Sequence, residues 1–175
     1  KVDAALQAAQ KDQSAPAITV TMDSNTAKTV SLSVPPQALG ELAENAKAVF
    51  SVRCGLGKVT LNAKAIQAVA QQAGQDAFVL TIASVTEAGQ NSHPGYDISI
   101  QSAGKKITDL SGGTAVVAVP YTLGADQQAG GVIAYAVAAD GGRSACSTTY
   151  DRKTQTVQFT LHQLSQVVIV YDETA

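Results

Sequence analysis

The sequence holds no tryptophan, one methionine, two cysteines and two histidines in 175 residues. Charged side chains make up only 15 %, and twelve basic residues nearly cancel fourteen acidic ones, leaving a net charge of −2. With no basic cluster, nothing favours nucleic acid or an anionic membrane as a partner. No apolar run approaches the roughly twenty residues that an α-helix needs to span a bilayer, so membrane insertion is not expected. No histidine or acidic cluster accompanies either cysteine at metal-ligand spacing. Gly55-Leu56-Gly57 lacks the third glycine and the following helix of a dinucleotide fingerprint. No cofactor and no metal are expected.

The opening KVDAALQAAQ lacks a charged-then-apolar leader. The chain reads as a piece of a longer protein, so that lack carries no weight against export. Cys54 and Cys146 belong to no CxxC pair. Either they form an oxidised bridge joining the two halves, or they are two unrelated small residues, and their spacing alone leaves both readings open. Over so long a loop a bridge would stabilise by about 4 kcal/mol in the chain-entropy picture.

What the sequence has in quantity is short apolar runs separated by turn residues. Ile18–Met22 and Val30–Val34 alternate apolar and polar residues, as half-buried strands do. Ala48–Val52 and Lys58–Leu61 flank a glycine turn, Ala77–Ser84 is a strong β-former, and Tyr96–Gln101 alternates again. Lys105 and Lys106 suit a short edge segment that discourages pairing with other chains. The stretch from Gly112 onward adds Ala115–Pro120, Val132–Val137, Val157–Leu161 and Val167–Tyr171. Turn clusters at 124–126, 140–142 and 151–153 separate these runs.

Helical signals are few. Val2–Gln10 carries an i, i+3, i+4, i+7 stripe, and Pro36 can open a short helix through Leu39 and Leu42. Asn62 is a good N-cap for Ala63–Ala73, with Gly74 just past its end. The reading is a mainly β chain, an antiparallel two-sheet β-sandwich of nine or ten strands with two or three short helices. Residues 1–14 form a linker or N-terminal helix, and 15–175 form one domain. Ser111-Gly112-Gly113 is the candidate hinge within it.

The order Pro120-Tyr121-Thr122-Leu123, then Tyr135, then Tyr150-Asp151, Thr154, Val157, Phe159-Thr160 and Leu164-Ser165 resembles a module near the C-terminal ends of bacterial surface proteins. In Gram-positive bacteria that module often precedes S-layer homology repeats. The upstream segments VSLSVPPQALGELA and GKVTLNAKAIQAVAQQAG resemble it as well. The resemblance implies an extracellular, cell-wall-attached structural or spacer module with no established catalytic activity. Its partners would be neighbouring domains of the parent surface protein. The alternative is an adhesin-like module, binding a cell-wall or host glycan or a host protein through loops around Gln90–Pro94 or Gly124–Gly131.

One chemical motif warrants scrutiny. Modules of this kind carry T-x-H-F/L-S near the last strand, similar to the self-cleavage signature of GAIN-type domains, where a histidine two residues ahead activates the hydroxyl. Here Gln163 occupies the histidine position before Ser165, and His162 is displaced by one residue. Strand alternation would turn His162 to the opposite face, away from the serine. A Ser–His–Asp set built on His93 has no nucleophile elbow to support it. The 140–142 and 151–153 clusters read as hairpin turns, since neither alternates acidic ligands as a calcium loop does. A lysine isopeptide cross-link would need a buried lysine, whereas these lysines fall in turns or on polar faces. Tyr121, Tyr135, Tyr150 and Tyr171 could form a glycan platform, but apolar positions on different strands favour packing.

Overall fold

In the computed structural model, residues 17–23, 26–86 and 93–174 are described. The expected helix Val2–Gln10 and most of the 86–95 loop lie outside them. Thirteen strands and two helices make up the described chain. In chain order they are β1 (Ala17–Thr21), β2 (Thr29–Val34), α1 (Pro36–Ala43), β3 (Val49–Cys54), β4 (Gly57–Leu61), α2 (Ala63–Ala73) and β5 (Phe78–Thr86). There follow β6 (Pro94–Ser102), β7 (Lys105–Ile107), β8 (Ala115–Pro120), β9 (Val132–Val137), β10 (Arg143–Ala145), β11 (Ser147–Asp151), β12 (Thr156–Leu161) and β13 (Gln166–Tyr171).

The strands form two sheets, as the alternation implies. The first runs β1-β3-β4-β8-β12-β11, and the second β10-β9-β13-β6-β5-β2, with β7 paired to the C-terminal end of β6. All ladders are antiparallel except β1 with β3, which run parallel from Ala17↔Val49 to Thr21↔Arg53. A hairpin cannot join parallel neighbours, so the chain leaves the first sheet through β2 and returns by way of α1.

Alternate residues of each sheet fill one shared core. Phe50, Val52, Val59, Leu61, Val117 and Phe159 enter it from the first sheet. Phe78, Leu80, Ile82, Ile98, Ile100, Val167 and Ile169 enter from the second. Phe50 and Phe78 meet across the sandwich edge-to-face, their ring centroids 6.2 Å apart at 77°, a geometry aromatic quadrupoles favour.

Both helices sit where the chain changes sheet. α1 joins the end of β2 to the start of β3, and α2 joins the end of β4 to the start of β5. They pack on one another and add Ala38, Leu39, Leu42, Ala65, Ile66 and Val69 to the core. The side-chain oxygen of Asn62 accepts from the Ala65 amide at 2.9 Å, the expected cap, and also from the Thr114 amide at 3.0 Å. One side chain thus caps α2 and ties it to the segment entering β8. Gly74 ends the helix at φ 63°, and its amide bonds back to Ala70.

The pairings give the sandwich two distinct poles. At the helix pole lie the start of β3, the ends of β4 and β12, and the start of β8, joined by Phe50↔Leu61 and Leu61↔Ala115↔Leu161. At the far pole lie the β3–β4 turn, the β8–β9 loop, the β11–β12 turn and the end of β13, where Tyr171 faces Val132.

Candidate functional site

Two regions gather polar side chains, one at each pole. Two of the sheet crossings at the helix pole flank one groove. A single residue, Cys146, separates β10 in the second sheet from β11 in the first. Strands that switch sheets need a corner with its own hydrogen bonds, and Thr148 supplies them. Its hydroxyl donates to the Cys146 carbonyl at 2.8 Å and accepts from the Ala134 amide at 3.1 Å, while the Cys146 amide donates to the Ala134 carbonyl at 2.8 Å. The second crossing is the segment from His162 to Ser165 between β12 and β13.

Between the crossings lies an open groove of about 600 Å³ that includes Ala136, Ser144, Cys146, Thr160, His162, Gln163 and Ser165 in its lining. Burial pushes the Cys146 thiol up, and the Ala136 backbone hydrogen bond only partly opposes it. A nucleophilic cysteine needs the reverse shift. His162 and Gln163 are exposed, and Gln163 makes an isolated bridge with Asp109. The His162–Ser165 stretch is therefore a crossing segment, not a regular strand; β12 stops at Leu161 and β13 begins at Gln166. Strand alternation, invoked above to turn His162 away, does not operate there. The Ser165 hydroxyl is buried without a hydrogen-bond partner, and so is one carboxylate oxygen of Asp97 on the neighbouring strand.

His93 stands just ahead of β6 at the far pole, whereas the Ser165 carbonyl accepts from the Ile98 amide at 3.4 Å. Five residues of extended chain separate positions 93 and 98, about 16 Å at the usual strand rise. The two do not share a site.

Cys54 ends β3 opposite Gly57, and both cysteines are free thiols, each half-buried. Their bridge, left open by the sequence, does not form, for a reason visible in the ladder. From β3 to β11 the sheet counts β4, β8 and β12 between them. Four spacings of about 4.8 Å amount to roughly 19 Å, whereas a disulfide needs Cα atoms within about 7 Å. Thiol titration of the denatured, unreduced protein should find two thiols, and finding none would contradict this arrangement.

At the far pole, Tyr121, just past β8, converges with Tyr150 of β11 and Tyr171 of β13. The rings of Tyr121 and Tyr150 stand edge-to-face with centroids 6.3 Å apart. The Tyr150 hydroxyl donates to the Tyr121 carbonyl at 2.9 Å, and the Tyr171 hydroxyl accepts from the Gln128 amide at 3.0 Å. Burial first, then the neighbouring Tyr150 and Tyr171, push the Tyr121 phenol up. Their spacing in sequence gave no hint of this grouping, which arises because three strands end at one pole. Tyr135 lies apart on β9. Two of the three hydroxyls hold the protein's own backbone, so the cluster pins the β8–β9 loop.

The carboxylates expected in turns are used in turns. Asp151 accepts from the amides of Lys153 and Thr154, and Asp140 from that of Gly142. The first of these contacts leads in holding the Asp151 carboxyl below its usual range. Among the described residues no three His, Cys, Asp or Glu side chains gather as a metal site. The described lysines are exposed, apart from a half-exposed Lys58. No described helix is long and apolar enough to cross a membrane. Compared with known proteins, the chain matches no family model, no curated protein and no solved structure.

Proposed function

We propose that this chain is a non-catalytic structural module, a spacer in a secreted surface protein attached to the cell wall, with the flanking domains of that protein as its partners. The observation that carries the reading is where the chain enters and leaves. β1 begins at the helix pole, since Ala17 pairs with Val49 at the start of β3. β13 finishes at the far pole, with Tyr171 opposite Val132 and Asp172 bonded to the Gly131 carbonyl. The two ends of the described chain therefore lie at opposite poles, the arrangement that a spacer between flanking domains requires. The resemblance of the PYTL, TYD and FT segments to surface-protein modules supports the extracellular placement.

The adhesin alternative receives less support. The Gly124–Gly131 loop is tied down by Tyr171 and by the Gln127 side chain, which accepts from the Gly124 amide at 3.0 Å. Residues 90–92 of the other candidate loop lie outside the described residues.

Two copies joined end to start should scatter X-rays at small angles as an elongated body approaching twice the length of one copy. A compact, side-by-side pair would overturn the spacer reading. The absence of catalysis is tested at the Leu164–Ser165 bond. Gln163 cannot take the serine proton, and His162 lies on an exposed crossing segment, so the bond should survive prolonged incubation. Intact-mass spectrometry after denaturation should show one species; loss of the 165–175 tail would show that the site is reactive.

A further inference from the structure

We propose that the fold is a mechanical clamp, in which tension applied through the two ends of the chain shears the terminal strands along their length. The spacer reading supplies only the source of tension, and the geometry stands on strand pairing. β1 enters at the helix pole and runs toward the far pole, so a pull on the preceding chain draws it backward along its own axis. That motion strains all five of its residue pairs with β3 together, from Ala17↔Val49 to Thr21↔Arg53. A pull on the chain after Tyr171 draws β13 forward along its axis, against six pairs with β9 and three with β6. Ladder hydrogen bonds bridge the strands, square to them in the antiparallel β13 ladders and slanted in the parallel β1–β3 ladder. An axial force therefore loads a whole row at once, whereas a force across the strands opens one pair at a time.

The side chains resist the same motion. Ile18 and Val20 of β1, and Val167 and Ile169 of β13, are buried in the common core. Sliding either strand drags these groups past close-packed neighbours, and a core at crystal-like density has no room for that without breaking contacts. The two loaded strands belong to different sheets, so the load also passes through the sheet-to-sheet packing at Phe50 and Phe78. β13 is flanked on both sides, by β9 and β6. β1 is an edge strand whose ladder partner among the described residues is β3. It is the part that yields first and sets the rupture force.

Single-molecule force spectroscopy on one folded protein tests this by changing only the direction of pull. Handles at Lys1 and Ala175 load β1 and β13 in shear. Handles at Thr26 and Thr174 both attach near the far pole, and tension then opens β2 from Thr29↔Ala83 pair by pair. At equal pulling rate the end-to-end geometry should rupture at a severalfold higher force. Equal forces, or a lower end-to-end force, would overturn the clamp. Ile18→Ala should lower the end-to-end force and leave the Thr26 force nearly unchanged; an unchanged end-to-end force would show that β1 is not the clamp. A compact tandem by scattering would remove the spacer reading while leaving the force anisotropy standing. Forces independent of direction would remove the clamp while leaving an extended tandem standing.

Discussion

Truncating Phe50 to alanine should destabilise the fold by about 3–5 kcal/mol, the range for deleting a fully buried aromatic ring. Phe50 is 1 % exposed and projects from β3 into the space between the sheets, where Phe78, also 1 % exposed, meets it from β5. With only three phenylalanines and no tryptophan in the chain, few large rings fill that space, and small neighbours cannot collapse into the void. The edge-to-face pair adds about 0.5–1.5 kcal/mol beyond burial, which alanine also forfeits. In thermal unfolding the midpoint should fall by roughly 10 °C for a chain of this length. Phe50→Leu keeps most of the volume and should cost less than about 1.5 kcal/mol beyond the lost ring pair. Equal losses for the two variants would mean that ring volume at this position does not hold the sheets together.

Substitution of Gly113 by valine should be comparably severe, at about 3 kcal/mol or more, the upper end of what overpacking costs. A Cβ at this position would overlap the backbone nitrogen of Ala65 and lie 2.5 Å from its Cα and 2.8 Å from its Cβ. These are atoms of the first turn of α2, which cannot move without releasing the amide that Asn62 caps. The adjacent glycine provides the control. Gly112 has φ 80° but open space around its Cβ direction, so Gly112→Ala should cost only the left-handed backbone penalty of about 1–2 kcal/mol. Chemical denaturation of both variants separates the two causes. Similar midpoints for Gly112→Ala and Gly113→Val would refute a packing role for Gly113.

That pair of glycines shows where local reading stops. Ser111-Gly112-Gly113 reads as a hinge because glycine and serine signal freedom. The structure uses Ser111 and Gly112 for a positive-φ turn and Gly113 as the point where β8's approach touches α2. A contact to residue 65 leaves no trace in the residues next to 113.

Local physics did determine much of the rest. α2 was legible to the residue, since Asn62, the apolar positions 66, 69, 70 and 73, and Gly74 all act within a few residues of one another. The alternating strands were legible too, because side-chain period follows from backbone pleat. β10 and β11, with sequences RSA and STTYD, were not. They carry too little apolar surface to announce themselves and are strands because β9 and β12 offer them ladders.

What the sequence by itself determined is thus the class of the fold: short amphipathic strands that must bury one face each, and two helices with definite ends. Partner choice belonged to the tertiary structure. It placed β1 parallel to β3, set Cys54 and Cys146 four strands apart, drew three tyrosines to one pole, and sent the two ends of the described chain to opposite poles. The physical reason is that periodicity records which face of an element is buried and says nothing of what buries it. That choice is made by filling one core at crystal-like density, a condition on the whole chain at once.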